Sequence, residues 1–231
     1  IDAFAEHRRV VTIDGPGYGR SSPIRRDFTL DDCAAAAVEV LDQLGVTEPV
    51  DWVGNAWGGH VGITLAADQP HRLRSLVTIA APLTPVSRRQ RWTKTYPLAL
   101  IYRLVGPNRL ITKALFDTLF GPKAIAAQPD RAAQMMNAFN AADRESIRRT
   151  IRFMHHWHAL SDKLPAVIVP TLLMTGDLPD QQWQPADAQA AAAAMPRARA
   201  VAVTGAGHLG PLLLDVDLIA ATVGEFWRSL P

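Results

Sequence analysis

Two kinds of hydrophobic spacing alternate along the first eighty residues. Residues 9–14 form a short β-branched run without polar alternation, as expected for a strand buried on both faces of a parallel sheet. Residues 30–44 change to a helical period, with Leu30, Cys33, Ala37, Val40, Leu41 and Leu44 on one face, Thr29 and Asp32 spaced as a helix start, and Gly45 closing the turn. Residues 49–54 predict the next strand, 57–68 a helix whose Gly58, Gly59 and Gly62 let it lie close on the sheet, and 73–80 a fully apolar strand. Strand, helix, strand, helix, strand is the order of a parallel sheet with right-handed crossovers.

From Pro82 the pattern becomes helical throughout, interrupted at Pro97, Gly106-Pro107, Gly121-Pro122 and Pro129, and it lasts to about Pro165. Sheet spacing then resumes: strand 166–175, helix 185–195, strand 198–203, helix 216–229. The expected architecture is therefore α/β, a mostly parallel doubly wound sheet built from residues 1–81 and 166–231, with an all-helical insertion over 82–165 laid out like a cap. Charge supports the division. The net charge of +2 conceals an insertion with 14 Lys/Arg against 5 Asp/Glu, or +9, and a remainder of −7. A solvated basic face is the expected use; an anionic substrate, an acidic partner or a membrane surface are the alternatives.

Composition narrows the function classes. With 231 residues, 48% hydrophobic and 20% charged, the chain is an ordinary globular one, and no run of 18 apolar residues predicts a membrane span. The single cysteine, Cys33, cannot form an internal disulfide, which fits a reducing, cytoplasmic setting, and its helical position predicts a buried thiol. The glycine-rich loop 15–22 lacks a following Gly-Lys-Ser/Thr, so it is read as a tight loop at the carboxyl edge of the sheet, and no nucleotide or nucleic-acid partner is expected. In His155-His156-Trp157-His158 only the outer histidines share a helix face, with no cysteine or acid spaced to complete a ligand set, so no metal is expected.

The chemistry concentrates at three strand ends. Residues 51–60 carry the parts of a nucleophile elbow, a hydrophobic strand, small residues at Gly54 and Gly58, then a helix, except that the central position is Ala56. An elbow aims its central side chain at a substrate, and a methyl group cannot attack. After the last predicted strand, residues 204–209 place His208 on a glycine-flanked loop; after the strand before it, residues 176–180 carry Asp177 and Asp180. A carboxylate can hold an imidazole in one tautomer, and the imidazole can then deprotonate a nucleophile or water.

Four motifs in order, residues 14–21, 54–58, 176–180 and 205–208, resemble those of the α/β-hydrolase fold superfamily, in its small capped esterase, lactonase and epoxide-hydrolase branch. The resemblance implies His208 as general base, Asp180 as its acid after a one-residue shift past Pro179 with Asp177 as the runner-up, and the Trp57 N–H as an oxyanion donor. It further implies a small-molecule substrate contacted by Asn55, Trp92, Tyr96, Phe153 and Trp157, no cofactor or metal, and a monomer or homodimer. Superfamily members open with further strands and an H-G loop that gives a second oxyanion donor; neither is visible before Ile1, so the chain is expected to start partway into its fold. Three readings of Ala56 follow: an ester or lactone hydrolase with serine replaced; a protein without the nucleophile that binds a ligand or uses His208 as a base toward water or a C–H proton; and an aspartate-nucleophile enzyme with Trp57 as a halide-binding residue and Tyr96 and Tyr102 polarising an epoxide.

Overall fold

Alternating side chains divide three of the four strands between two cores. In a computed structural model, which describes residues 1–85, 87–105, 109–156, 158–178, 183–205, 208 and 216–230, four strands pair in parallel. They are β1 (Val50–Asn55), β2 (Leu73–Ile79), β3 (Thr171–Gly176) and β4 (Ala198–Val203), lying side by side in chain order. Leu76 and Leu173 point into a core with α2 (Leu30–Gln43), α3 (Trp57–Asp68) and α10 (Pro185–Ala193). Their neighbours Val77 and Leu172 point the other way, onto Ile219, Val223 and Phe226 of the last helix, α11 (Val216–Arg228), joined by Phe4 of α1 (Asp2–Ala5). Helices thus cover both faces, and every residue of β3 is buried. The register aligns Asn55 with Ile79 and Ile79 with Met174, so the carboxyl ends of the strands share one edge.

Local rules account for most boundaries. Helix α2 starts on a reciprocal capping box, in which Asp32 N–H donates to Thr29 Oγ1 at 3.1 Å and Thr29 N–H to Asp32 Oδ2 at 2.8 Å. Two predictions need correction. The run at 9–14 forms no strand: Val10, Val11 and Ile13 are exposed, and among the described residues nothing pairs with the outer edge of β1, where Val53 is also exposed. A β-branched run becomes a strand only when a neighbour takes its N–H and C=O groups. The strand expected from 166 begins at Thr171, because Ser161–Ala166 coils into a 3-10 helix and Pro165 and Pro170 have no N–H for a ladder.

Between β2 and β3 the chain is helical. Helix α4 (Arg88–Gln90) runs through a π-helical turn, Arg91–Thr95, into α5 (Tyr96–Val105), followed by α6 (Arg109–Phe120), α7 (Pro122–Ala127), α8 (Pro129–Ala141) and α9 (Arg144–His156). Phe116, Phe120, Ala124 and Ala132 make a small core of their own, with Phe139 edge-on to Phe116. Helix α9 bridges to the N-terminal half. The buried Ser146 hydroxyl accepts the Ile24 N–H at 2.8 Å, and a Cβ at Gly17 would overlap that serine. Arg149 and Arg152 reach Asp27 at 2.8 and 3.3 Å, and Lys163 reaches Asp68 at 2.8 Å. Part of the basic excess of the insertion therefore faces acids of the N-terminal half. Among the described residues, no helix is long and apolar enough to cross a membrane.

Candidate functional site at the carboxyl edge of the sheet

Ala56 sits where β1 turns into α3 with φ 45° and ψ −109°, a conformation that L-residues avoid. Sterics impose it. A Cβ at Gly54 would overlap the Gly58 carbonyl, one at Gly59 would lie 2.6 Å from Ala81 Cβ, and one at Gly62 would lie 2.5 Å from the Trp52 ring. Trp52 also donates its indole N–H to the Gly58 carbonyl at 2.9 Å. The Ile79 carbonyl takes both the Ala56 N–H at 2.8 Å and the Asn55 side-chain amide at 3.0 Å, so Asn55 is engaged with the sheet. Holding an alanine there costs about 1–3 kcal/mol.

Trp57, the first residue of α3, has a backbone N–H with no intrahelical acceptor. Its ring joins a three-membered stack at the junction of core and insertion: Phe28 lies 5.2 Å away, Phe153 of α9 5.3 Å away, and those two are 4.9 Å apart. Beneath it, burial pushes the Cys33 thiol up to about 11 although a hydrogen bond with Trp57 pulls the other way. A cavity of about 240 Å³ lined by Asp27, Phe28, Arg149, Arg152 and Phe153 adjoins this stack. Of the aromatic residues expected around a substrate, Phe153 lies beside the elbow. Trp92 packs edge-on against Tyr96 and is 64% exposed, and Trp157 lies outside the described residues. Phe28 was not anticipated, although its place just before the Thr29 cap is where a hydrophobic staple residue belongs.

Across the edge, the exit loops of β3 and β4 are joined by polar contacts. Asp177 Oδ1 accepts the Gly205 N–H at 2.6 Å, with Gly205 at φ 75°. Asp180 lies outside the described residues, so the runner-up acid is the one seen to touch the histidine loop. His208 is partly enclosed, and desolvation pushes its imidazole down to about 4. A second imidazole, His60, also falls to about 4, through burial first and through electrostatic repulsion from His208. Its ring Nε2 lies 2.7 Å from the Pro82 carbonyl, which can only accept, so Nε2 carries the proton and Nδ1 keeps its lone pair. His60 stands one helical turn beyond Ala56, its N–H on the Ala56 carbonyl at 3.1 Å. That spacing was legible in the sequence, but a histidine inside an apolar helix reads first as packing.

Known proteins place these features in a family. Residues 1–222 match the Alpha/beta hydrolase family. A 2-hydroxy-6-oxononadienedioate/2-hydroxy-6-oxononatrienedioate hydrolase of Paraburkholderia phymatum is 39% identical over 79 residues, which is 33% of this chain and 27% of that protein. The matches to this and two other curated relatives take in 21–30% of the relatives' own lengths. An esterase of Thermogutta terrifontis superposes with a TM-score of 0.80 at 23% identity, over 93% of this chain and 77% of the other. The enol-lactonase of Burkholderia xenovorans LB400 gives 0.79 at 21% identity, over 92% and 78%. At these identities the structural likeness concerns the fold.

Proposed function

The chain belongs to the Alpha/beta hydrolase family, and from that membership we propose that its site serves a carboxylic ester or lactone through Ser-His-Asp type chemistry, with Ala56 in the place of the nucleophile. The observation that carries this reading is the backbone of Ala56, held at φ 45° by the Gly54–Gly58 approach. A turn so strained is of use to a side chain that must be aimed. With serine at 56, the hydroxyl would attack the acyl carbon, His208 would take its proton and pass it to the leaving oxygen, and the Trp57 N–H would receive the developing oxyanion. A water deprotonated by His208 would then cleave the acyl-serine to release the acid and restore the hydroxyl. Asp180 orients the imidazole and raises its basicity, while Asp177 ties the two exit loops together. Residues 82–165 act as the cap over a small, mainly apolar substrate, with Phe153 beside the elbow.

As it stands the chain forms no acyl-enzyme, since a methyl group occupies position 56. Ala56→Ser is expected to create hydrolysis of aryl and short acyl esters, measured as product release against the parent chain. No gain across the panel would sink the reading. A second reading has its own support in His208, which is neutral at pH 7 and so keeps a nitrogen lone pair that can accept a hydrogen bond from water: the alanine form itself uses His208 to activate water. Turnover by the parent chain that His208→Ala abolishes would favour it. The halide-binding reading lacks such support, because the Trp57 ring is stacked with Phe28 and Phe153.

A further inference from the structure

The helix that enters the insertion turns an apolar side to solvent. Leu100, Ile101, Leu104 and Val105 recur at i, i+1, i+4 and i+5, one side of α5, and are 46–74% exposed; Trp92 lies on the same continuous helix, two turns earlier. Large apolar side chains gathered this way mark a surface that meets something. Among the described residues, no strand or other helix runs along α5 in close backbone contact.

The charge along this stretch of the chain has one sign. Between Asp68 and Asp117 the chain contains no Asp or Glu, whereas residues 82–116 carry Arg88, Arg89, Arg91, Lys94, Arg103, Arg109 and Lys113. Lys113 is paired with Asp117, but Arg88 and Arg89, exposed where the helix begins, take part in none of the described ion pairs. Arg149 and Arg152 of α9, by contrast, reach Asp27.

We propose that the helix Arg88–Val105 docks in the plane of an anionic phospholipid surface. The Leu100, Ile101, Leu104 and Val105 side enters the boundary between headgroups and acyl chains, and Arg88 and Arg89 meet the lipid phosphates. Cationic residues at one end and exposed Leu and Ile along one side are what an interfacial helix uses. A second copy of the chain is the poorer occupant, because a two-fold contact would set this cationic segment against itself. Docking needs no chemistry at position 56 and does not depend on the proposed hydrolysis.

The test is sedimentation of the full chain with vesicles of phosphatidylcholine alone or mixed with phosphatidylglycerol. The two exposed arginines are expected to give a roughly thirtyfold preference for the anionic vesicles, lost at high salt and in Arg88→Glu/Arg89→Glu. Leu104→Glu, at a 74% exposed position, is expected to cut binding at least about tenfold while circular dichroism stays unchanged. Equal binding to both vesicle types, no binding to either, or an unaffected Leu104→Glu variant would each overturn the proposal. So would a dimer in light scattering that Leu104→Glu dissolves, or retention by polyglutamate without retention by vesicles, which would assign the face to a second copy or to an acidic polypeptide.

Discussion

The elbow at Ala56 and the loops opposite it share one edge of the sheet but are held by different forces. At the elbow, absent side chains do the work: Gly54, Gly59 and Gly62 let backbone and rings approach to distances that a Cβ forbids. Opposite, polar contacts and desolvation prevail, with Asp177 bonded to Gly205 and the His208 imidazole kept neutral by burial, as is that of His60, which reaches toward this side from the elbow's own helix. Steric construction is indifferent to what stands at position 56, so the aim of the elbow survives an alanine. The electrostatic half depends on charge, and pH can rearrange it.

The largest effect is expected where the steric half is attacked directly. Gly54→Ala forces a methyl group into the Gly58 backbone and should destabilise the fold by about 3 kcal/mol or more, read by denaturant melts; a loss under about 1 kcal/mol would show the elbow is looser than its contacts imply. The electrostatic half is tested with acid. Unfolded histidines bind protons near pH 6.5 while His60 and His208 resist down to about 4, so in that window the unfolded state holds more protons. Stability is full above pH 6.5 and falls toward pH 4 with a slope approaching about two protons; in His60→Gln the slope should drop to about one.

Smaller changes sharpen the contrast. Ala56→Gly relieves the positive φ and should stabilise the chain by about 1 kcal/mol, seen as a raised melting midpoint. An unchanged or lowered midpoint would mean that the methyl group packs well enough to offset the strain. Asp177→Asn weakens the carboxylate's bond to Gly205 N–H and should cost about 1 kcal/mol, with faster amide exchange at Gly205 as the local signature.

Much of the frame could be read from spacing alone. Local rules set the start of α2, where Thr29 and Asp32 cap each other, and apolar runs marked β1, β2 and β4 within a residue or so. The same rules misjudged 9–14, since a strand needs a neighbour that hydrophobicity does not specify, and they placed β3 five residues early because apolar residues around Pro165 and Pro170 read as ladder. At the site, the glycine-framed elbow and His208 were visible as motifs. His60 and Phe28 were not, because their importance lies in what folding brings beside them: Pro82 and His208 for one, Trp57 and Phe153 for the other.

The positive φ at Ala56 separates direction from reactivity. The backbone sets the line along which a side chain leaves position 56, so any residue installed there inherits the same bearing. The position behaves as a socket: serine, cysteine or aspartate placed in it would present an alkoxide precursor, a thiolate or a carboxylate to one and the same volume. Chemistries that natural enzymes keep on separate proteins become comparable on one scaffold, with geometry held constant and only the attacking atom changed.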